Sequence, residues 1–287
     1  MKQTLTIKSF HAKYPSDDAC LKTIFQNRYG SLSVCPSCQK KTKFYKVTGR
    51  KCYACQFCGH QLHPLAGTIF HKSETSLKNW FYAIFLFANS KNGVAAKELQ
   101  RQLGVTYKTA WRMAKQIRLL FKPPIGKLSN TVEIDETYVG GKAHGKRGRG
   151  AESKTPVLGM AERGGKIFAQ VVGDTRSSTI TPLVRHNVEI GSDLMTDEYH
   201  SYDSLYKYGY KLQRINHSAK QYAKGSVHTN TIEGFWSQLK RSINGTHHAV
   251  SPKYLQHYVD EFAYRYDLRH YPDSLFSPMI LTAGMPV

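Results

Sequence analysis

Three acidic positions in this 287-residue chain have the types and spacing to hold divalent cations. In Val132-Glu133-Ile134-Asp135 apolar and acidic residues alternate, so Glu133 and Asp135 share one face of a strand. Asp197 follows the short strand-like stretch Asp193–Thr196, and Glu233 lies in a helical segment that begins near Asn230. Thirty-five residues separate Asp197 from Glu233, and Lys240 follows seven positions after Glu233. Glu233 and Lys240 therefore fall side by side, flanking a stripe of Ile232, Phe235, Trp236, Leu239 and Ile243. Carboxylates in such a set can bind two divalent ions about 4 Å apart, which activate a nucleophile and steady the leaving oxygen of a phosphoryl displacement. Mg²⁺ (or Mn²⁺) prefers hard oxygen ligands, so Asp and Glu serve where Cys would not. Lys240 can neutralise a phosphate beside the reacting one. Each residue has a plainer reading. Asp135 could be a strand-end acid, Asp197 a helix cap, and Asn230-Thr-Ile-Glu233 a capping box. The three in this order and on these elements favour catalysis.

A second set is built from sulfur. Cys35-Pro-Ser-Cys38 and Cys55-Gln-Phe-Cys58 form a CxxC pair separated by 16 residues, within the spacing of zinc sites. Two residues between ligands let a tight turn aim both sulfurs at one tetrahedral ion, and four thiolates close its shell. One structural Zn²⁺ is therefore expected. Cys52 and Cys55 are also CxxC, but Gly59 gives the 55/58 pair the better knuckle turn. Cys20 and Cys52 are read as buried thiols.

The elements that must position these groups follow from length, charge and periodicity. The chain is about 1.9 times the ~150-residue domain prior, so two or three units are expected. Of 41 Lys and Arg and 20 Asp and Glu, residues 1–126 carry 21 and 4 (+17), and residues 127–287 carry 20 and 16 (+4). A basic front and a balanced back point to a nucleic-acid-binding module followed by a second function. The longest apolar run, Trp80–Ala88, is nine residues, and a membrane span needs about 20. No apolar h-region follows Met1. These features place the protein in the cytoplasm, associated with the nucleoid and not with membrane. Residues 1–70 are expected to hold an N-terminal helix, capped by Ser16, and the zinc ribbon. Residues 71–121 are read as a helical DNA-binding segment and 122–130, with two Pro and a Gly, as a linker. Residues 131–287 then run strand, strand, strand, helix, strand, helix, strand, helix, ending in a C-terminal helix. That is the order of an α/β ribonuclease-H-like (integrase-type) domain.

Within the helical segment, Val94–Leu103, Gly104 and Thr106–Leu119 read as a helix-turn-helix. Lys108, Arg112 and Lys115 would face DNA while Ala110, Met113, Ala114 and Ile117 pack inward. Gly140–Gly150 places Lys142, Lys146, Arg147 and Arg149 among glycines, either to grip phosphates or as a solvated loop. Tyr254, Leu255, Tyr258, Val259 and Phe262 are read as core, and His247-His248 as exposed loop.

The stretches CPSC…CQFCGHQ, AGTIFHKSETSLKNWFYAIF, VEIDETYVGGK, TDEYHSY and HTNTIEGFWSQLKRSINGTHHAVSPKYLQHYVDEFAYRY resemble bacterial insertion-sequence transposases with an N-terminal zinc ribbon and a DDE-type catalytic domain. The likeness runs from about residue 16 to about 270. It implies a DNA transposase with Asp135, Asp197 and Glu233 as metal-binding catalytic acids, Lys240 beside them, and Mg²⁺ or Mn²⁺ as cofactor. Some related enzymes use Asn in place of the last acid, which leaves Glu233 and Asn230 both open. The resemblance also implies two chemical steps. Metal-activated water cleaves the element's terminal phosphodiester, and the freed 3′-OH then attacks target DNA. Partners would be the terminal inverted repeats, target DNA and a second copy of the chain in a synaptic complex. A DNA-binding regulator with an inactive domain, or a nuclease without strand transfer, is the alternative.

Overall fold

A computed structural model describes residues 5–122, 126–141, 154–215, 227–270 and 275–286. The described residues divide into two units. One holds the chain up to Ser90, Val94–Leu120 and the residues after 274; the other holds Lys91–Gly93 and the chain from Phe121 to His270.

The first unit opens with α1 (Ile7–Lys13) and α2 (Asp17–Tyr29). Ser16 caps α2 by accepting from the Ala19 N–H, and Asp17 and Asp18 occupy its positive first turn. Strands β1 (Phe44–Lys46), β2 (Tyr53–Cys55) and β3 (Gln61–Leu62) make a small antiparallel sheet. The Phe25 ring of α2 stacks on Tyr53 of that sheet, 3.9 Å between centroids. Helix α3 (Leu77–Asn89) is the centre of the unit. The expected stripe of Trp80, Ala83, Ile84 and Phe87 is buried, and Leu77, Phe81, Phe85 and Ala88 are buried as well. A helix apolar on nearly all sides must be surrounded. It packs against α2, α4 (Ala96–Leu103), α5 (Tyr107–Arg118) and the last helix, α9 (Phe276–Ala283). That C-terminal helix, expected with the catalytic domain, belongs to this unit instead. Phe276 explains the docking, since it joins Phe10, Tyr14 and Phe85 in one aromatic cluster.

The second unit is a five-stranded mixed sheet in the order β6-β5-β4-β7-β8. Its strands are β4 (Thr131–Gly140), β5 (Lys154–Glu162), β6 (Ile167–Val171), β7 (Asp193–Thr196) and β8 (Lys211–Arg214). β4, β5 and β6 run antiparallel, whereas β7 and β8 lie parallel to β4. Side chains alternate across the sheet. Val132, Ile134, Leu158 and Met160 meet Ile180 and Val184 of α6 (Ser177–Asn187) together with Tyr202 and Leu205. On the opposite face Val139, Val157 and Ala161 meet α7 (Asn230–Ser242) and α8 (Pro252–Asp267).

Four details depart from expectation. The segment read as a helix over Tyr199–Tyr208 is a 3₁₀ helix, His200–Tyr208, closed by Gly209 at φ 85°. Its His, Ser, Tyr and Asp residues are weak α-helix formers. The expected linker is packed where it is described: Leu128 is buried, and its N–H donates to the Asn187 carbonyl at 2.8 Å. His247 is half-buried against Tyr258, centroids 4.8 Å apart, and only His248 is exposed. In α8, Leu255, Val259 and Phe262 are core, while Tyr254 and Tyr258 are half-buried.

Candidate active site and metal centre

Cys35, Cys38, Cys55 and Cys58 bring their sulfurs within 4.8 Å of one another. Cys35 and Cys58 Sγ are 3.7 Å apart, and Cys38 and Cys55 Sγ are 3.9 Å apart. A tetrahedral ion at ~2.3 Å from each sulfur requires sulfur–sulfur edges of about 3.8 Å, so the set fits structural zinc. The Phe57 N–H and the Thr42 hydroxyl lie 3.4 Å from Cys55 Sγ, the kind of outer contact that orients a thiolate ligand. Gly59 turns at φ 70° after the second knuckle, and its N–H donates to the Cys55 carbonyl. Cys52 stands outside the set, 3.4 Å from Gln61 Oε1, and Cys20 is buried.

The carboxylates meet on the second unit. β4 and β7 pair Thr131 with Asp193 and Glu133 with Met195. Continued by two residues, that register sets Asp197 beside Asp135. Burial pushes the Asp135 carboxyl up, the charges of Glu136 and Asp197 add to the effect, and its pKa reaches about 7. Two adjacent carboxylates whose joint ionisation is unfavourable are a hard-oxygen pair that a divalent cation would relieve. Asp197 also accepts from the Tyr199 N–H at 3.0 Å, so its cap role coexists with its place beside Asp135. On the other face of β4 the buried Tyr202 hydroxyl donates to Glu136 Oε2 at 2.6 Å. That bond ties the segment after Asp197 to the strand bearing Asp135.

Glu233 is exposed, and its Oε1 accepts from the Thr229 hydroxyl at 2.6 Å. It does not close with Asp135 and Asp197 into a three-carboxylate cluster. Among the described residues, the four cysteines are the one group of three or more Cys, His, Asp or Glu close enough to share an ion. Asn230 and Lys240 are exposed on the same helix.

Glu133, read from sequence only as a companion of Asp135, fastens that helix. Its Oε2 accepts from the N–H groups of Thr231 (2.7 Å) and Ile232 (3.1 Å), and its Oε1 from Arg163 Nε (2.7 Å). The N-terminus of α7 is thus capped by a buried acid about a hundred residues earlier, and not by the capping box that is the plainer reading of Asn230-Thr-Ile-Glu233. Glu133→Gln removes the buried charge that pairs with Arg163 Nε and weakens the cap. We expect a stability loss of about 3 kcal/mol, read as a lower midpoint in urea unfolding; an unchanged midpoint would contradict the clamp.

Gly159 and Trp236 carry a further contact that no sequence motif signalled. Gly159 lies opposite Asp135 on β5. A Cβ there would stand 2.5 Å and 2.6 Å from two Trp236 ring carbons and 2.7 Å from Ile232 Cδ1. The missing side chain makes the slot in which the indole lies, with Trp236 Nε1 donating to Asp135 Oδ2 at 3.0 Å. Gly159→Ala should cost about 1–3 kcal/mol through overpacking. It should also alter Trp236 fluorescence, and an unshifted spectrum would count against the slot.

Lys108 and Arg112 are exposed on α5 and Lys115 is half-buried. Ala110, Met113, Ala114 and Ile117 face inward, and Arg112 Nη2 donates to the His71 carbonyl at 3.3 Å. Gly104 turns at φ 63° before α5, whose cap is Thr106. Lys142, Lys146, Arg147 and Arg149 lie outside the described residues.

Comparison with known proteins is consistent across both units. Residues 127–267 match the ISXO2-like transposase domain, and residues 15–61 match the transposase zinc-ribbon domain. An uncharacterized protein in transposable element ISH50 of Halobacterium salinarum is 27% identical over 280 residues, covering 90% of this chain and 94% of its own length. An uncharacterized transposase-like protein of Haemophilus influenzae is 29% identical over 102 residues, 36% of this chain and 81% of its own. Among solved structures, a pre-cleavage Mos1 transpososome aligns at 13% identity and TM-score 0.27, covering 71% of this chain and 79% of that one. With its cysteine cluster in the one matched stretch and its paired aspartates in the other, the chain belongs to the insertion-sequence transposases that carry an N-terminal zinc ribbon.

Proposed function

We propose that the protein binds the ends of its own insertion sequence, cuts their terminal phosphodiesters with water and joins the freed 3′-OH to target DNA. The observation that carries this reading is the pair formed by Asp135 on β4 and Asp197 just past the end of the neighbouring parallel strand β7, within the stretch matched by the transposase domain. The strand order β6-β5-β4-β7-β8, with three antiparallel strands followed by two parallel ones, supports a ribonuclease-H-like description of the catalytic unit. The short turn between α4 and α5 and the outward Lys108 and Arg112 support a helix-turn-helix that contacts DNA.

Asp135 and Asp197 would hold Mg²⁺ or Mn²⁺, with Glu233 or Asn230 completing the set from α7. When bound, divalent ions supply charge that activates the attacking oxygen and stabilises the leaving one. The rest of the work falls to the chain itself. β4 and β7 hold two carboxylates in one register, so the reacting phosphate meets a fixed arrangement. Asp135 is half-buried, and its partial removal from water strengthens its interaction with any cation. Lys240, two turns along from Glu233, would neutralise a phosphate of the bound DNA, and Lys108, Arg112 and Lys115 would grip the backbone elsewhere. Two ends must be cut in concert, which fits a pair of chains acting together on DNA in the cytoplasm.

The test is an incubation of the purified protein with duplexes carrying its element's own ends, a target plasmid and Mg²⁺. Cut ends and joined products are expected. Repeat binding without metal-dependent cutting would indicate a regulator, and cutting without joining a nuclease; either would overturn the proposal.

A further inference from the structure

We infer that Trp236 is a positioning residue for Asp135, setting the orientation in which that carboxylate meets a divalent cation. The inference rests on the reading of Asp135 and Asp197 as cation ligands and adds a residue to it. The indole is a donor only, so its bond to Asp135 Oδ2 at 3.0 Å fixes one carboxylate oxygen as acceptor and sets the plane of the group. Three features hold the indole still. Gly159, paired with Asp135 in the sheet, leaves the slot that the ring fills. Phe235, Ile232 and Leu239 pack around it in the same core, and Trp236 is 4% exposed. Glu133 anchors the first turn of α7, so the helix cannot slide along β4 and carry the indole away. Glu233 lies three residues before Trp236 and Lys240 four residues after it. The same bond therefore ties the helix bearing those two groups to the strand bearing Asp135. Outer-sphere donors of this kind orient a metal ligand, and their loss costs 10–100-fold in metal affinity. A tryptophan that merely filled the core would have no such effect once its ring was replaced by another.

Trp236→Phe keeps an aromatic ring and removes the donor. The experiment measures Mn²⁺ binding to the full-length, zinc-loaded protein by electron paramagnetic resonance of the free ion. The expected result is a 10–100-fold weaker Kd in Trp236→Phe, with the thermal midpoint nearly unchanged, and a comparable or larger loss in Asp197→Asn. Wild-type affinity in Trp236→Phe beside a weakened Asp197→Asn would overturn the positioning role alone. Wild-type affinity in Asp197→Asn would overturn the cation reading and this inference with it. If Trp236→Phe does not fold, indole ¹⁵N–¹H spectra decide the matter. One of the three Trp signals should exchange slowly in wild type and quickly in Asp135→Ala. Three signals indifferent to Asp135→Ala would refute the bond.

Discussion

Asp197→Asn is expected to leave the protein folded and bound to its DNA while strand cutting falls at least ~10³-fold, about 4 kcal/mol of transition-state stabilisation. The substitution conserves shape and removes one negative charge. The amide retains an oxygen that can accept from the Tyr199 N–H, the bond that Asp197 makes at the end of β7. Asp135, whose carboxyl is raised to about 7 by burial and by the charges of Glu136 and Asp197, loses one of its repelling neighbours. Folding should therefore be unaffected or slightly favoured, because relief of repulsion offsets any lost hydrogen bonding. On the proposed reading, what disappears is the second hard anionic ligand for a divalent ion. Single-turnover cleavage of labelled end DNA, with a gel-shift control for binding, separates the two effects. Cutting retained within tenfold of wild type would remove Asp197 from the chemistry.

Removal of zinc should have the second largest effect. The ribbon's strands are three, three and two residues long, far too short to be stable without a staple. Binding a structural zinc to such a module contributes about 10–16 kcal/mol at neutral pH, and that energy is folding energy. Strong chelation, or Cys55→Ser, should unfold the ribbon and release Phe25 from its stack on Tyr53. The mixed sheet of the second unit has its own cores on both faces and should persist. One zinc per chain is expected in wild type and in Cys52→Ser, since Cys52 stands outside the cluster. Metal analysis with circular dichroism before and after chelation checks both statements. A zinc-free wild type that keeps the ribbon fold would refute them.

Features written in adjacent residues could be read directly from the sequence. The two CxxC knuckles are local turns, so their spacing named the four sulfurs that the fold gathers. Alternation along Val132–Asp135 named the acidic face of β4, and the 3.6-residue period gave the buried sides of α3, α5 and α7. The α9 helix also has an apolar pattern, but a pattern does not say which core will receive it. Phe10 and Tyr14 decide that, more than 250 residues earlier in the chain. The same holds at the candidate active site. The register that sets Asp197 beside Asp135, the reach of Glu133 to the first turn of α7, and the slot that Gly159 opens for Trp236 all join residues 60 to 100 positions apart or on separate elements. Sequence periodicity reports how a residue faces its near neighbours, so it named the candidate acids. Their juxtaposition is a matter of strand pairing and helix docking, and those contacts exist only once the sheet has assembled and the chain has closed over it.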